Sequence, residues 1–342
     1  MDRRTTSTTE RAAFGGRRLC VAPMMERTDR HCRYFLRLLA PNARLYTEMI
    51  TAAALLRGDA AKLLRFDTAE HPVALQLGGS EPDALAAAAK LGAAAGYDEI
   101  NLNVGCPSDR VQAGCFGAAL MREPRRVASC VAAMAEASPA PITVKTRLGV
   151  DEHDSYEFLC DFVGAVAEAG CGTVIVHARK AWLKGLSPKQ NRDVPPLDYP
   201  RVHRLKRDFA ALEIVLNGGL AALEPAIAQL AQVDGVMLGR AAYHDPMLLA
   251  RLDQAIFGGA SPTRVHAVEA FVAYAEGELR AGTPLNAMLR HLMGLFTARP
   301  GGRRWRKTLA EWPRAGKASA RLGELVALAT ELDSPTREPR AA

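Results

Sequence analysis

Eight short runs of β-branched and aliphatic residues alternate with longer Ala- and Leu-rich stretches between residues 19 and 238. The runs are Leu19–Met24, Ala43–Met49, Pro72–Leu77, Glu99–Val104, Pro141–Thr146, Thr173–His177, Glu213–Asn217 and Gly235–Leu238. Between them, Pro82–Ala95, Arg125–Ala137, Ser155–Ala169 and Leu223–Leu230 carry helical periodicity. The runs lack polar alternation, as expected of parallel strands buried on both faces. Eight such units define an α/β chain, a (β/α)8 TIM barrel, here with a C-terminal helical domain. A doubly wound open sheet is the competitor. It is disfavoured because no run is followed by Gly-x-Gly-x-x-Gly, and because eight similar units close more naturally into a ring.

A barrel of this kind keeps its chemistry at the carboxyl ends of its strands. Those ends carry Pro23-Met24, Gln76, Asn103 with Cys106, Lys145 with Arg147, His177 with Arg179, Asn217-Gly218-Gly219, and Gly239-Arg240. Gly218-Gly219 and Gly239 can bring backbone N–H groups up to a phosphate, and Arg240 can add a charge-assisted bond. Lys145 is a cation suited to the electron-rich edge of a flavin, and Gln76 and Asn103 can hydrogen-bond its polar rim. Pro23-Met24 can pack beside such a ring, and His177 can reach the ring or a phosphate. Together these residues point to a planar, phosphate-bearing cofactor, most simply FMN.

The stretch from Asn101 to Phe116 holds a Cys-Pro pair in a Gly-rich polar loop just beyond a strand. Cys20, Cys130, Cys160 and Cys171 sit instead among apolar neighbours, where cysteine is usually a small buried hydrophobe. The seven cysteines form no Cys-x-x-Cys pair and no zinc spacing, so neither a metal site nor a disulfide framework is expected. Cys106 is the candidate for chemistry, with Cys115 in the same loop as its internal control.

The net charge of +7 favours a polyanionic partner. Between Arg299 and Arg321 the cations Arg303, Arg304, Arg306, Lys307, Arg314 and Lys317 face the single acid Glu311, with Trp305 and Trp312 interleaved. This reads either as a phosphate-backbone footprint with a stacking aromatic or as a solvated helix face. Residues 1–16 read as a flexible tail without the apolar core of a signal peptide, and no membrane-spanning run occurs. The expected organisation is a barrel over 17–258, a helical domain over 259–335 and a flexible terminus over 336–342, in a cytoplasmic protein.

Several stretches resemble the successive motifs of the tRNA-dihydrouridine synthases. They are Val21-Ala22-Pro23-Met24, Leu75-Gln76-Leu77-Gly78-Gly79, Asn101 to Asp109, Val144-Lys145-Thr146-Arg147, Val176 to Lys180, Leu216 to Gly219 and Gly235 to Arg240. Asp29 to Arg33, His177 to Leu183 and Gly185 to Arg192 are closest to the A subfamily, which acts at positions 20 and 20a of the D-loop. The resemblance implies FMN at Pro23, Met24, Gln76, Lys145, His177, Asn217, Gly218, Gly219, Gly239 and Arg240, and Cys106 as general acid. It implies tRNA orientation by Lys189, Arg192, Arg303 and Arg306; beside that, Arg179 or Asn103 is a candidate to hold the uracil or the nearby backbone. It further implies a ping-pong reduction, with NADPH as electron donor, hydride reaching C6 of uridine from the flavin and a proton reaching C5 from Cys106. An ordinary thiol is mostly protonated at neutral pH, which suits that role. The target base must leave its stack to reach a barrel mouth. No obligate protein partner is inferred.

Two alternatives stand beside this reading. One is an FMN barrel acting on a free pyrimidine or other small molecule, which would have no use for a basic helical tail. The other is a tRNA-folding helper with an inert barrel, which would have no physical need for the ring of functional strand ends.

Overall fold

The computed structural model describes residues 16–114, 116–311 and 318–334. Cys115, Trp312, Arg314, Lys317 and both expected tails, apart from Gly16, lie outside the described residues, as does the side chain of Arg321.

Eight parallel strands close into a barrel in sequence order: β1 (Leu19–Val21), β2 (Arg44–Thr51), β3 (Val73–Gly78), β4 (Glu99–Val104), β5 (Ile142–Arg147), β6 (Thr173–His177), β7 (Glu213–Asn217) and β8 (Gly235–Leu238). β8 closes on β1, with Leu19 opposite Val236 and Val21 opposite Leu238. All eight runs seen in the sequence are strands. β1 is shorter than expected because Pro23 has no N–H to give. The chain turns there instead, Thr28 Oγ1 accepting the Met24 N–H at 2.9 Å. β2 runs longer, through an irregularity between Tyr46 and Met49.

The expected lack of alternation needs correction. Glu99, Asn101 and Asn103 on β4, and Thr143, Lys145 and Arg147 on β5, recur every second residue and share one face of each strand. Along the barrel axis that face changes character. Arg17, Glu99 and Glu213 lie at the amino end, and Cys20, Tyr46, Ala74, Ile175, Val215 and Met237 form one buried cluster beyond them. Gln76, Lys145 and Asn217 lie toward the carboxyl end. Gly235 allows Arg17 to cross the floor, since a Cβ there would meet the Arg17 carbonyl oxygen at 1.9 Å.

The helices form for local reasons. Pro82–Ala94 and Pro124–Ala137 each start with proline in the first turn, where its missing N–H costs nothing. Tyr156–Glu168 is capped by Ser155, whose side chain accepts the Phe158 N–H. Each buries one apolar stripe: Leu85, Ala88 and Ala89; Val127, Cys130, Val131 and Met134; Leu159, Phe162, Val163 and Val166. Cys160 lies off the last of these stripes and is half-buried, unlike the fully buried role expected from its neighbours.

The chain divides into two compact units, and the division is not collinear with sequence: residues 31–41 group with those from 240 onward, the rest with the barrel. In the second unit, Phe35 meets Phe271 edge to face at 5.6 Å, and Tyr34 stacks on Tyr274 at 3.9 Å. Arg264 joins the helices Arg264–Arg280 and Ala318–Asp333 by an ion pair to Asp333 at 3.1 Å. Trp305 corrects a sequence expectation. It is fully buried against Phe296 and donates its indole N–H to the Leu292 carbonyl at 2.8 Å, so it is core and not a stacking platform for a base.

Candidate active site at the barrel mouth

The loop after β4 is held from two sides. Asn103 Oδ1 accepts the backbone N–H groups of Gly105 at 3.1 Å and Cys106 at 3.0 Å. Arg147, only 3% exposed, donates through Nε to the Gly105 carbonyl at 2.9 Å. The half-buried Cys106 thiol lies 3.5 Å from Ser108 Oγ, just before the short helix Asp109–Ala113.

The same arginine reaches the loop after β6, where its Nη1 donates to the carbonyls of Lys180 at 3.2 Å and Asn191 at 2.9 Å. Gln112 makes a second tie, its Nε2 donating to the Pro107 and Leu183 carbonyls at 2.9 and 2.8 Å. The β4 and β6 loops are therefore one hydrogen-bonded assembly. Buried Asn191 organises the second of them, accepting the Trp182 N–H at 2.7 Å and donating to the Trp182 carbonyl at 2.8 Å.

Sequence reasoning named Arg147 only as a strand end and did not single out Asn191. The signal for Arg147 was present in its two-residue spacing from Lys145. For Asn191 it was the placement of an amide inside the Gly185–Arg192 motif.

Around the rim, Gln76 Oε1 accepts from Asn103 Nδ2 at 2.9 Å, and Lys145 Nζ donates to Asn217 Oδ1 at 3.0 Å. Asn217 is fixed in turn by donating to the Met237 carbonyl at 2.7 Å. Gly218 and Gly219 adopt φ values of 112° and 69°, which side-chain-bearing residues rarely hold. A Cβ on Gly218 would strike the His177 ring at 2.5 Å, and one on Gly219 would strike Leu197 at 2.4 Å. No acceptor for the N–H of Gly218, Gly219 or Gly239 is found among the described residues.

The electrostatics of the mouth are one-sided. Burial, then the neighbouring Arg147, pulls the Lys145 ammonium down to about 7, with the Cys106 side chain acting in the opposite direction. Burial, then Arg147, Lys145, Arg179 and Arg192, drives the His177 imidazole well below its ordinary value, so it is neutral at pH 7. Burial also lowers the Arg147 guanidinium to about 10 against the pull of Cys106. No carboxylate is among the charges acting on these three groups. Such a cluster is unfavourable until an anion joins it.

An aromatic ring system bearing a phosphate, as in FMN, fits these residues. The glycine turn suits the phosphate, the cations suit its charge, and the amides suit a hydrogen-bonding ring edge.

Of the candidate residues, Gln76, Asn103, Cys106, Lys145, His177, Asn217, Gly218 and Gly219 lie at the carboxyl ends of neighbouring strands. Pro23 and Met24 follow β1, and Gly239 follows β8, where its Cβ position would lie 3.9 Å from Ala22. Lys189 and Arg192 are exposed on the β6 loop. Arg240, Arg303 and Arg306 belong to the second unit, the last two exposed one turn apart on the helix Gly302–Glu311. No helix among the described residues is long and apolar enough to cross a membrane.

A closed parallel (β/α)8 barrel with a loop thiol and an anion-seeking mouth defines a class of barrel site, and three comparisons narrow it. The dihydrouridine synthase family model matches residues 20–331, so the chain belongs to the dihydrouridine synthase family. The tRNA-dihydrouridine(20/20a) synthase of Xanthomonas campestris pv. campestris is 58% identical over 294 residues, covering 86% of this chain and 88% of that protein. The enzyme of the same name from Escherichia coli (strain K12) is 56% identical over 313 residues, covering 90% of this chain and 89% of that protein. Morphinone reductase shares the fold at a TM-score of 0.51 with 14% identity, over 72% of this chain and 87% of its own.

Proposed function

We propose that this protein reduces uridine to 5,6-dihydrouridine in the D-loop of tRNA, at U20 and U20a, using FMN and drawing electrons from NADPH in the cytoplasm. The observation that carries the reading is the Cys106 thiol on a loop pinned by Asn103, at a mouth where no carboxylate is among the charges acting on Lys145 and His177. Membership of the family and the names of its relatives support the substrate.

FMN bound at the mouth would supply the hydride for C6 of the uracil. Pro23, Met24, Gln76, Lys145, His177, Asn217, Gly218, Gly219, Gly239 and Arg240 hold it. Lys145 balances negative charge, and its Asn217 partner keeps the ammonium at the rim. His177, being neutral, offers a ring nitrogen without adding to the positive charge. Cys106 Sγ–H gives its proton to C5, and Asn103 holds the turn that aims it. Lys189, Arg192, Arg303 and Arg306 grip the phosphate backbone, which orients the RNA without reading its sequence. In this reading 17–258 is the catalytic barrel and 259–335 the tRNA-binding part.

The deciding experiment is anaerobic: load the protein with FMN, reduce it with NADPH, and follow flavin reoxidation on adding tRNA that lacks dihydrouridine. Rapid reoxidation by that tRNA, and none by free uridine, is expected. Reoxidation by small pyrimidines alone would make this an oxidoreductase of small molecules, and failure to take up flavin would make the barrel an inert scaffold.

Cys106→Ala should slow turnover by a factor of about 10²–10⁴ while flavin and tRNA still bind. Full activity would remove its role. Replacing Arg303 and Arg306 with Ala should weaken tRNA binding and flatten its salt dependence by about two phosphate contacts.

A further inference from the structure

The interior of a barrel of this type is ordinarily filled with branched aliphatic side chains. Here one side of it is a continuous polar line. At the floor, Glu99 Oε2 accepts from Arg17 Nε at 2.7 Å, and Oε1 accepts from Tyr46 Oη at 2.7 Å and Thr143 Oγ1 at 2.6 Å. Thr143 Oγ1 accepts from Asn101 Nδ2 at 2.8 Å, and Asn101 Oδ1 accepts from Gln76 Nε2 at 2.8 Å. Gln76 Oε1 accepts from Asn103 Nδ2, whose Oδ1 takes the N–H groups of Gly105 and Cys106. Thr143, Asn101 and Gln76 are all at most 1% exposed, so solvent does not compete for these bonds.

The direction of this line follows from its lower end. Burial by itself would raise the Glu99 carboxyl, but Arg17 and Arg44, followed by the bonds from Thr143 and Tyr46, outweigh it and hold the carboxyl low and ionised. An ionised carboxylate can only accept, so Thr143 must give it the hydroxyl proton. The Thr143 oxygen then needs a donor, which turns the Asn101 amide with its nitrogen down and its oxygen up. The same requirement passes to Gln76 and then to Asn103, because reversing any one amide would set donor against donor or acceptor against acceptor.

We propose that Glu99 acts on the reaction site from the barrel floor. Through Thr143 and Asn101 it sets the amide sense of Gln76 and Asn103, and so the placement of the Gly105–Cys106 turn. Asn103 Oδ1 already takes two N–H groups and Gln76 Oε1 one, and each amide nitrogen has given one of its two N–H bonds to the line, so each keeps one N–H to offer a ligand at the mouth. Glu99, Thr143 and Asn101 are thus positioning residues. Their consequence for turnover rests on the function proposed above, whereas their effect on the turn does not.

The test compares Thr143→Val, which removes one link at nearly constant volume, with Thr143→Ser, which restores the hydroxyl. Tyr46→Phe serves as control, because it removes a hydrogen bond donated to the same carboxylate without breaking the line. Hydrogen exchange at the Gly105 and Cys106 amides is read in the ligand-free protein, and flavin reoxidation by tRNA in the reduced, FMN-loaded protein.

Thr143→Val should speed exchange at those amides about fivefold, the factor that the loss of one hydrogen bond of average strength gives. It should also slow reoxidation by tRNA more than reduction by NADPH. Thr143→Ser should restore both, and Tyr46→Phe should leave the amides as in the wild type. If Thr143→Val does not fold, Asn101→Ala breaks the line one step higher and is read in the same way. Wild-type exchange in the Val or Ala variant, or the same acceleration in Tyr46→Phe, would overturn the proposal. If wild-type enzyme were not reoxidised by tRNA while the exchange pattern held, the proposed function would fail and the positioning line would stand.

Discussion

At the amino end of the barrel, Arg17 lies 2.7 Å from Glu99 and 2.5 Å from Glu213, and Arg44 approaches Glu99 at 3.6 Å. At the carboxyl end, Lys145, Arg147 and His177 crowd together, and the cations around them all act to lower their proton affinity. The two sets of charge sit on different strands of one barrel, Arg44, Glu99 and Glu213 on β2, β4 and β7, and Lys145, Arg147 and His177 on β5 and β6. One end sets Glu99 and Glu213 against its buried cations, while at the other no carboxylate is among the charges acting on Lys145, Arg147 and His177. Burying charge is costly in both places, so the difference marks which end folds the barrel and which end works.

The largest way to break this comparison is Glu99→Ala. It would leave the Arg17 and Arg44 guanidiniums without their shared carboxylate, and a broken buried pair costs about 3–5 kcal/mol. Denaturant unfolding monitored by circular dichroism should show a loss of that order. A loss under about 1 kcal/mol would mean that the floor is not an electrostatic keystone.

This contrast was only half legible in the sequence. All eight strands could be read because each is an apolar run bounded by turn residues, and the strand ends could be read because polar residues interrupt those runs. The floor could not. Arg17, Glu99 and Glu213 lie far apart along the chain, and each alone reads as a charge beside the start of a strand. Their pairing exists only once the barrel closes.

Asn101 was hidden for a related reason. In a strand buried on both faces an amide in the middle looks like noise, until its partners on β3 and β5 are brought opposite it. Trp305 was misread in the other direction, because a tryptophan among arginines suggests base stacking and nothing local reveals the Leu292 carbonyl waiting for its N–H.

The mouth should respond to substitution with the opposite sign from the floor. Lys145→Met removes a half-buried cation and keeps an unbranched side chain of similar length. Without flavin, the variant should be more stable than wild type by about 1–2 kcal/mol, seen as a higher Tm, while its affinity for FMN falls. A variant that lost stability would show that Lys145 is held by structural bonds like those of the floor, its contact with Asn217 foremost.

The smallest effect is the pH dependence that separates the two ends. Lys145 titrates at about 7 in the folded protein against an ordinary value of 10.5, so between these values the unfolded chain holds a proton that the native state has released. Stability therefore rises with pH across that window, and the penalty is fully present below it. Glu99 works on the acid side: its lowered carboxyl adds stability that is present above the ordinary value of 4.5 and is lost as pH falls through the folded value. Subtracting the stability curve of Lys145→Met from that of the ligand-free wild type isolates the lysine. The difference should grow in favour of wild type by no more than about 1 kcal/mol between pH 7 and 8. With FMN bound its anionic charge keeps the ammonium protonated, and the slope should vanish. A flat difference curve in the ligand-free protein would mean that the mouth already contains its own counter-charge, and the distinction between the two ends of the barrel would be lost.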